Sequence, residues 1–166
     1  MDTYLLHQTP RSLATDLIAL TPLGDGDVVL EPFRGEGAFY DALPACVEKH
    51  WCERELGRDY TDFAGRLDWV ISNPPYRLDV EDKRINALWL LLDYFSVRVE
   101  KGIAFLINDK CLSSLTPRRL ELLHQRGLHL VKMVVCSVKK WRGRYYYLIF
   151  QKGESGAFTH LLKNYE

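Results

Sequence analysis

A short apolar segment that ends in two consecutive prolines constrains the fold of this chain most strongly. Trp69, Val70 and Ile71 are aromatic or β-branched residues, which favour strands, and the sequence continues as Ser72-Asn73-Pro74-Pro75-Tyr76. Proline cannot donate to a β-ladder and fixes φ at about −65°, and a residue that precedes proline is held extended. The sequence therefore predicts a buried strand that ends in a rigid corner.

The groups displayed by this corner are suited to binding a planar amine. Asn73 Oδ1 and the Pro74 carbonyl are two acceptors that can bind one NH2 group, and Tyr76 carries a ring that can cover the heterocycle bearing that group. Four residues alone are also compatible with a strand followed by a proline-rich turn. A ligand site therefore requires a second motif elsewhere in the chain.

A glycine-rich turn upstream provides that second motif. Val28 to Leu30 form an unbroken apolar run, typical of a buried parallel strand, and Glu31-Pro32-Phe33-Arg34-Gly35-Glu36-Gly37 follows. Glycine lets a ligand approach the backbone closely, and an acid suits a cationic ligand better than a phosphate. The spacing differs from the Gly-x-Gly-x-x-Gly dinucleotide fingerprint. A ligand-holding turn and a plain tight turn are equally compatible with this motif alone.

Together, the two motifs resemble those of the class I S-adenosylmethionine-dependent amino-methyltransferases, which act on adenine N6, cytosine N4 or a protein glutamine amide. The resemblance implies S-adenosyl-L-methionine as the cofactor. It also implies that catalysis is carried out by Asn73, Pro74, Pro75 and Tyr76. It implies that Glu31, Gly35, Gly37 and the Thr9-Pro10 element contact the methionine part of the cofactor. The full set of residues implied to bind the cofactor in these segments is Gln8, Thr9, Pro10, Glu31, Pro32, Phe33, Gly35, Gly37 and Asn73.

The same resemblance implies an adenosine pocket. Glu53 follows a short second strand, where an acid typically accepts hydrogen bonds from ribose hydroxyls, although a solvated surface charge explains Glu53 equally well. Asp59 and Tyr60 match the acid and aromatic residue that bind the cofactor's adenine. Asp62-Phe63 repeats this pattern, and we prefer Asp59 because it leaves room for a loop before the strand that ends at Ile71.

The whole pattern predicts an α/β fold of the Rossmann-like methyltransferase type, with a mostly parallel sheet and a C-terminal antiparallel hairpin. The expected strand order is 3-2-1-4-5-7-6. Residues 53–68 are too few for a helix and a strand, so the second crossover helix and the third strand should be abbreviated or absent. A helix is predicted at 9–20, with Thr9 as its cap and Pro10 in its first turn, and a charged loop at 77–84 is predicted to act as a flap over the substrate. The other predicted elements are strands at 50–53, 68–71, 102–107, 128–138 and 145–151 and helices at 85–99 and 113–127.

Composition limits the remaining possibilities. The 166 residues predict a single methyltransferase domain over 1–166 without a separate target-recognition domain. Neither a signal peptide nor an apolar run of membrane-spanning length is recognisable, so we expect a cytoplasmic protein that does not contact membranes. The four cysteines form no Cys-x-x-Cys pair and the histidines show no metal spacing, so no metal site is predicted.

The acceptor is predicted to be DNA. Whole-chain net charge is zero, so affinity for nucleic acid must be local, and the best candidates for substrate binding after Tyr76 are Lys139, Lys140, Trp141, Arg142 and Arg144. A charged hairpin tip is the simpler alternative for this loop. The leading hypothesis is methylation of adenine N6 in DNA. RNA adenine, a protein glutamine and a non-catalytic subunit of a heterodimer remain alternatives, and a homodimer or a partner subunit would supply target recognition.

Overall fold

The computed structural model describes residues 8–153, which form a mixed α/β structure. The strands are β1 (Val28–Glu31), β2 (Glu48–Trp51), β3 (Trp69–Ser72), β4 (Arg77–Val80), β5 (Lys83–Asn86), β6 (Gly102–Asn108), β7 (Leu128–Cys136) and β8 (Tyr145–Lys152). The helices are α1 (Arg11–Ala19), α2 (Ala38–Ala42), α3 (Ala87–Ser96), α4 (Asp109–Leu112) and α5 (Pro117–Gln125). Residues 1–7 and 154–166 of the predicted single domain lie outside this described part.

Six of the strands form one mixed sheet in the order β2-β1-β3-β6-β8-β7. β2, β1, β3 and β6 are mutually parallel, and β8 lies antiparallel between β6 and β7. This arrangement confirms the predicted fold class, including the terminal antiparallel hairpin. It is the expected strand order with the third strand omitted.

The third strand is absent from the sheet among the described residues 52–68, as the length of that segment predicted. Two 3₁₀ turns, Arg54–Leu56 and Tyr60–Asp62, occupy the segment instead. β2 is therefore an edge strand, and exposed edges invite unwanted pairing. The Trp51 ring lies between the guanidinium groups of Arg34 and Arg58, 5.0 and 4.2 Å from its centroid, and these bulky cations flank the edge.

Two apolar layers pack on the two faces of the sheet, because side chains alternate along each strand. Leu30 of β1 and Val70 of β3 face one layer, which includes Leu88, Leu91 and Leu92 of α3. The neighbouring residues of the same strands face the other layer, which includes Leu17 of α1 and Phe39 of α2 together with Val29, Trp69 and Ile71. The parallel strands are buried on both sides, which explains their unbroken apolar sequences.

The charged segment that follows Tyr76 is a β-hairpin, so the prediction of a loop at 77–84 was wrong. β4 and β5 pair as a separate two-stranded sheet with Val80 opposite Lys83. The two turn residues, Glu81 and Asp82, have φ of 47° and 61°. The hairpin also shortens the following helix, because α3 begins at Ala87 with the Asn86 side chain accepting from the Leu88 amide.

The predicted helix starts differ from those in the structure at two other places. Pro10 itself is the cap residue of α1, which makes no side-chain capping hydrogen bond; the prediction of a Thr9 cap was wrong because the Thr9 hydroxyl binds a distant residue. The predicted helix at 113–127 starts later, at Pro117, where Thr116 caps it. It ends before Gly127, which has a φ of 74° and acts as the predicted stop.

None of the helices among residues 8–153 combines the length and apolarity needed to cross a membrane.

We expect Gly102→Ala to destabilise the protein strongly. A Cβ at this position would lie 2.4 Å from both the Phe150 carbonyl and the Trp69 ring, and the fully buried Trp69 has no space into which it could move. Overpacking of this kind costs about 1–3 kcal/mol or more. Urea denaturation should show a lower midpoint, whereas Gly24→Ala, whose added Cβ would have its nearest neighbour at 3.6 Å, should be close to neutral. Equal stability of the two variants would contradict the packing described here.

Candidate active site

The carboxyl ends of the parallel strands bring the two sequence motifs together. β1 ends at Glu31 and β3 ends at Ser72, and the Ser72 hydroxyl donates to Glu31 Oε1 at 2.5 Å. Both side chains are buried. A hydrogen bond therefore links the start of the glycine-rich turn to the residue that precedes Asn73.

Glu31 is held in an unusual protonation state by its burial. Desolvation raises the pKa of the Glu31 carboxyl from 4.5 to about 8, although the hydrogen bonds from Ser72 and from the Phe33 amide act in the opposite direction, and the Glu53 carboxylate raises the pKa further. The Phe33 amide lies 3.0 Å from Glu31 Oε1. A cation that bound beside Glu31 would favour its charged form and draw the proton off.

The glycine-rich turn depends on backbone angles that other residues rarely adopt. Gly35 and Gly37 have φ of 51° and 85°, so a side chain at either position would strain the turn. The Gly35 amide donates to Glu53 Oε2 at 2.9 Å, which joins the turn to the residue after β2. Glu31 and Glu53, which the sequence predicted as cofactor ligands, are therefore both held at this edge of the sheet.

The segment before α1 connects the proline corner to the glycine-rich turn. Asn73 Nδ2 donates to Thr9 Oγ1 at 3.1 Å, which orients the Asn73 amide with its nitrogen towards Thr9. Two residues later, Arg11 Nη2 donates to the Glu36 carbonyl in the turn at 3.4 Å. Gln8 and Pro10 are half-buried on either side of Thr9. The structure thus brings residues 8–11, the turn and Asn73 together.

The rest of the proline corner is packed into the core. Pro74 is buried, while Pro75 and Tyr76 are half-buried, and the Tyr76 ring contacts both apolar layers. Burial raises the pKa of the Tyr76 phenol, and the neighbouring Tyr145 phenol raises it further. The Tyr76 carbonyl accepts from the Ala87 amide at 3.0 Å, which fixes the base of the hairpin that follows.

A cavity of about 290 Å³ lies beside the glycine-rich turn, where the sequence predicted the adenosine pocket. Phe33 and Tyr60 line it, with their ring centroids 5.4 Å apart. Asp59 also lines it, and its Oδ1 accepts from the amide and hydroxyl of Thr61, at 3.0 and 2.7 Å, so that part of this carboxylate caps its own turn. The full lining is Pro32, Phe33, Arg54, Asp59, Tyr60, Thr61, Leu78, Asp79, Val80 and Leu90.

Six of the ten lining residues were not predicted as site residues from the sequence. Arg54, Thr61, Leu90 and the hairpin residues 78–80 join the cavity through the tertiary fold. The alternation of Leu78 and Val80 with charged neighbours was a recognisable strand signal. It was obscured because the intervening residues are nearly all charged and the turn lacks glycine.

The predicted substrate loop has a basic surface, but its aromatic residue is packed inside. Lys139, Lys140, Arg142 and Arg144 are exposed. Trp141 is only 9% exposed and packs against Tyr145 with ring centroids 4.5 Å apart. The Trp141 indole, which the sequence predicted as a substrate-binding group, would therefore have to leave this packing to reach a base.

Comparison with known proteins rests on structure. No protein-family model matches the sequence, and a comparison with curated proteins finds no match either. A Listeria monocytogenes protein assigned to the class I S-adenosylmethionine-dependent methyltransferases superimposes with a TM-score of 0.66 at 14% identity, over 99% of this chain and 65% of the Listeria chain. The fold is that of the class I methyltransferases.

Two further solved structures share this methyltransferase fold. A Pyrococcus horikoshii protein assigned as an RNA methyltransferase matches with a TM-score of 0.64 at 22% identity, covering 92% of this chain and 88% of its own. The modification subunit of a Vibrio vulnificus YJ016 enzyme assigned to the type I restriction systems matches with a TM-score of 0.63 at 13% identity, covering 89% of this chain and 45% of its own. The present chain thus spans about two thirds of the Listeria structure and less than half of the Vibrio subunit.

We expect Glu31→Gln to remove a pH dependence of stability. Because the pKa of Glu31 is about 8 in the folded protein, against an ordinary value of 4.5, the unfolded chain loses a proton that the folded protein retains between these values. The free energy of unfolding then falls as pH rises through that window, with a slope of at most about 1.4 kcal/mol per pH unit from this group. Glutamine cannot ionise, so the variant should lack this contribution.

Urea denaturation at several pH values within that window measures the difference. Glu36→Gln, which changes an exposed glutamate of the same turn, is the control and should keep the wild-type slope. An unchanged slope in Glu31→Gln would contradict the raised pKa.

Proposed function

We propose that this protein transfers a methyl group from S-adenosyl-L-methionine to the N6 amino group of adenine in DNA. The observation that carries the proposal is the linkage of the two motifs at one sheet edge. Ser72 donates to Glu31, and Asn73 donates to Thr9 beside the glycine-rich turn. The corner that is suited to an amine and the turn that is suited to a cation therefore belong to one site.

The side chains around the turn fit the chemistry of this cofactor. Glu31 and Glu53 are acids suited to the ammonium group and the ribose hydroxyls, and the cavity lined by Phe33 and Tyr60 offers aromatic surface for adenine. Bound S-adenosylmethionine would supply an electrophilic methyl group, so that a nitrogen–carbon bond forms as the sulfur–carbon bond breaks and S-adenosylhomocysteine is left. The class I fold, shared with proteins assigned to S-adenosylmethionine-dependent methyltransferases, supports the same cofactor.

The proline corner would hold the acceptor amine. Adenine N6 is a weak nucleophile because its lone pair is delocalised into the ring. Acceptance of its two N–H hydrogens by Asn73 Oδ1 and the Pro74 carbonyl would favour a pyramidal nitrogen and aim the lone pair at the cofactor. Positioning of this kind is the main contribution required of the protein, since the methylated amine is acidic and releases its proton to solvent after transfer.

Nucleic acid as the acceptor is supported by the exposed basic loop and by two of the structural neighbours. Lys139, Lys140, Arg142 and Arg144 present four cations in one short loop, where phosphates would gain from counterion release. The Pyrococcus neighbour is assigned as an RNA methyltransferase and the Vibrio neighbour as a restriction-modification subunit. In a duplex the target base would have to be flipped out to reach the corner beside Tyr76.

We expect Asn73→Ala to abolish methylation of adenine. Tritiated-methyl transfer from S-adenosylmethionine to unmethylated DNA, RNA and protein pools should label N6-methyladenine in DNA with the wild-type protein. The variant should be slower by about 10²-fold or more, because one acceptor that positions the amine is lost. Asn108→Ala is the matched control: Asn108 lies at the same sheet edge, but its amide oxygen accepts from the Cys111 amide at the start of α4, so methylation should be retained.

The distribution of label distinguishes the alternatives. Label confined to RNA would move the acceptor to RNA adenine, and label confined to protein would overturn the nucleic-acid assignment. Binding of S-adenosylmethionine without transfer to any pool would favour a non-catalytic subunit that needs a partner.

We expect removal of two loop cations to weaken binding to DNA and to reduce its salt dependence. In Lys139→Ala/Lys140→Ala, each lost phosphate contact should lower the slope of log affinity against log salt by about 0.9. Lys132→Ala/Arg118→Ala removes two exposed cations from β7 and α5 and serves as a charge-matched control. Fluorescence anisotropy with a short duplex measures both slopes, and equal slopes for the two double variants would exclude a specific role for the loop.

A further inference from the structure

We propose that the hairpin formed by β4 and β5 is a lid over the adenosine half of the cofactor, with Leu78 and Val80 as the wall that faces the adenine ring. The proposal rests on the proposed function, because it assumes that the cavity beside the glycine-rich turn receives S-adenosylmethionine. It differs from the sequence prediction, which assigned this segment to the substrate. In this proposal the hairpin completes the lining of the cofactor pocket, which residues 53–68 form only in part.

The composition of the cavity supports this assignment. The aromatic rings of Phe33 and Tyr60 line the cavity, with their centroids 5.4 Å apart, and hairpin residues 78–80 form part of the same lining. Leu78 and Val80 lie two residues apart on one strand, so their side chains share a face of the hairpin. A flat aromatic ligand is well matched to a cavity whose lining combines aromatic rings with branched aliphatic side chains.

The exposure of the hairpin side chains also supports a ligand in the cavity. Leu78 is half-buried and packs against the core, whereas Val80 is 38% exposed at the rim of the cavity. The residues next to Val80 are charged, and Asp79, which also lines the cavity, lies opposite Arg84 in the antiparallel register. Val80 is thus a partly exposed apolar side chain within a charged segment, and a ligand in the cavity would cover it.

The hairpin has the features of an element that opens and closes. It forms a separate two-stranded sheet, and isolated hairpins are marginally stable. Both turn residues, Glu81 and Asp82, adopt left-handed backbone angles in the manner of a type I′ turn, which strongly prefers Asn-Gly. Few buried contacts and a strained turn lower the free energy needed for local opening.

Closure of the hairpin would be coupled to the proline corner. Its first strand begins at Arg77, directly after Tyr76, and the Tyr76 carbonyl bonds to the Ala87 amide at its base. If the cofactor binds only when the hairpin is closed, its apparent affinity is the intrinsic affinity multiplied by the fraction of molecules in which the hairpin is closed. Stabilising the turn should therefore tighten cofactor binding without any new contact to the cofactor.

Calorimetric titration of the full chain with S-adenosylmethionine and S-adenosylhomocysteine tests the proposal. Glu81→Asn/Asp82→Gly should bind both ligands about three- to tenfold more tightly, because it removes the strain of the turn. Val80→Asp should bind them at least about tenfold more weakly, because it places a charge against the adenine ring. Val135→Asp is the control: Val135 is an exposed valine, 66% accessible, on β7, and this variant should bind like the wild type.

Hydrogen exchange of residues 77–86 provides a readout that is independent of affinity. Saturating S-adenosylhomocysteine should slow exchange across the hairpin in the wild type, and exchange should already be slower in the ligand-free Glu81→Asn/Asp82→Gly variant. If the wild type binds while both hairpin variants bind equally well and exchange is unchanged, the lid is overturned and the proposed function stands. If the wild type does not bind S-adenosylmethionine at all, both are overturned.

Discussion

The hydrogen bond between Ser72 and the buried carboxyl of Glu31 determines the relation between the two halves of the site. It joins the ends of two neighbouring parallel strands, one followed by the glycine-rich turn and the other by the proline corner. Burial of an acid normally costs free energy, and Glu31 meets this cost by holding a proton and by accepting two hydrogen bonds. Two further hydrogen bonds hold neighbouring segments at this edge. The Gly35 amide donates to Glu53 and ties the turn to the segment after β2, and Asn73 donates to Thr9 and ties the proline corner to the segment before α1.

This arrangement gives a site that is built mainly from backbone geometry. Glycines provide the approach to the turn, prolines fix the corner, and residues 9–11 bridge the two. A strong base is unnecessary for the proposed chemistry, which requires an oriented amine and a bound electrophile. Burial raises the pKa of the Glu31 carboxyl, and a cation bound beside it would favour its charged form.

Much of the fold could be predicted because it depends on local sequence. The unbroken apolar runs identified the parallel strands, and the length of residues 53–68 predicted that the third strand would be abbreviated or absent. The errors arose where a distant residue decided the structure. Thr9 was predicted to cap a helix, but its hydroxyl accepts from Asn73, 64 positions away. Trp141 was grouped with the exposed cations of its loop, but it is buried and packs against Tyr145. The hairpin at 77–86 was missed because Glu81-Asp82 is an unfavourable sequence for a turn in which both residues have positive φ.

The most direct test of the central claim is a crystal structure of the protein with S-adenosylhomocysteine. We expect the ligand to lie across the carboxyl ends of β1 and β2, with its adenine between Tyr60 and Val80 and its sulfur directed towards Asn73. A ligand bound elsewhere, or an Asn73 amide turned away from the turn that contains Gly35 and Gly37, would contradict the assignment of these motifs to one active site.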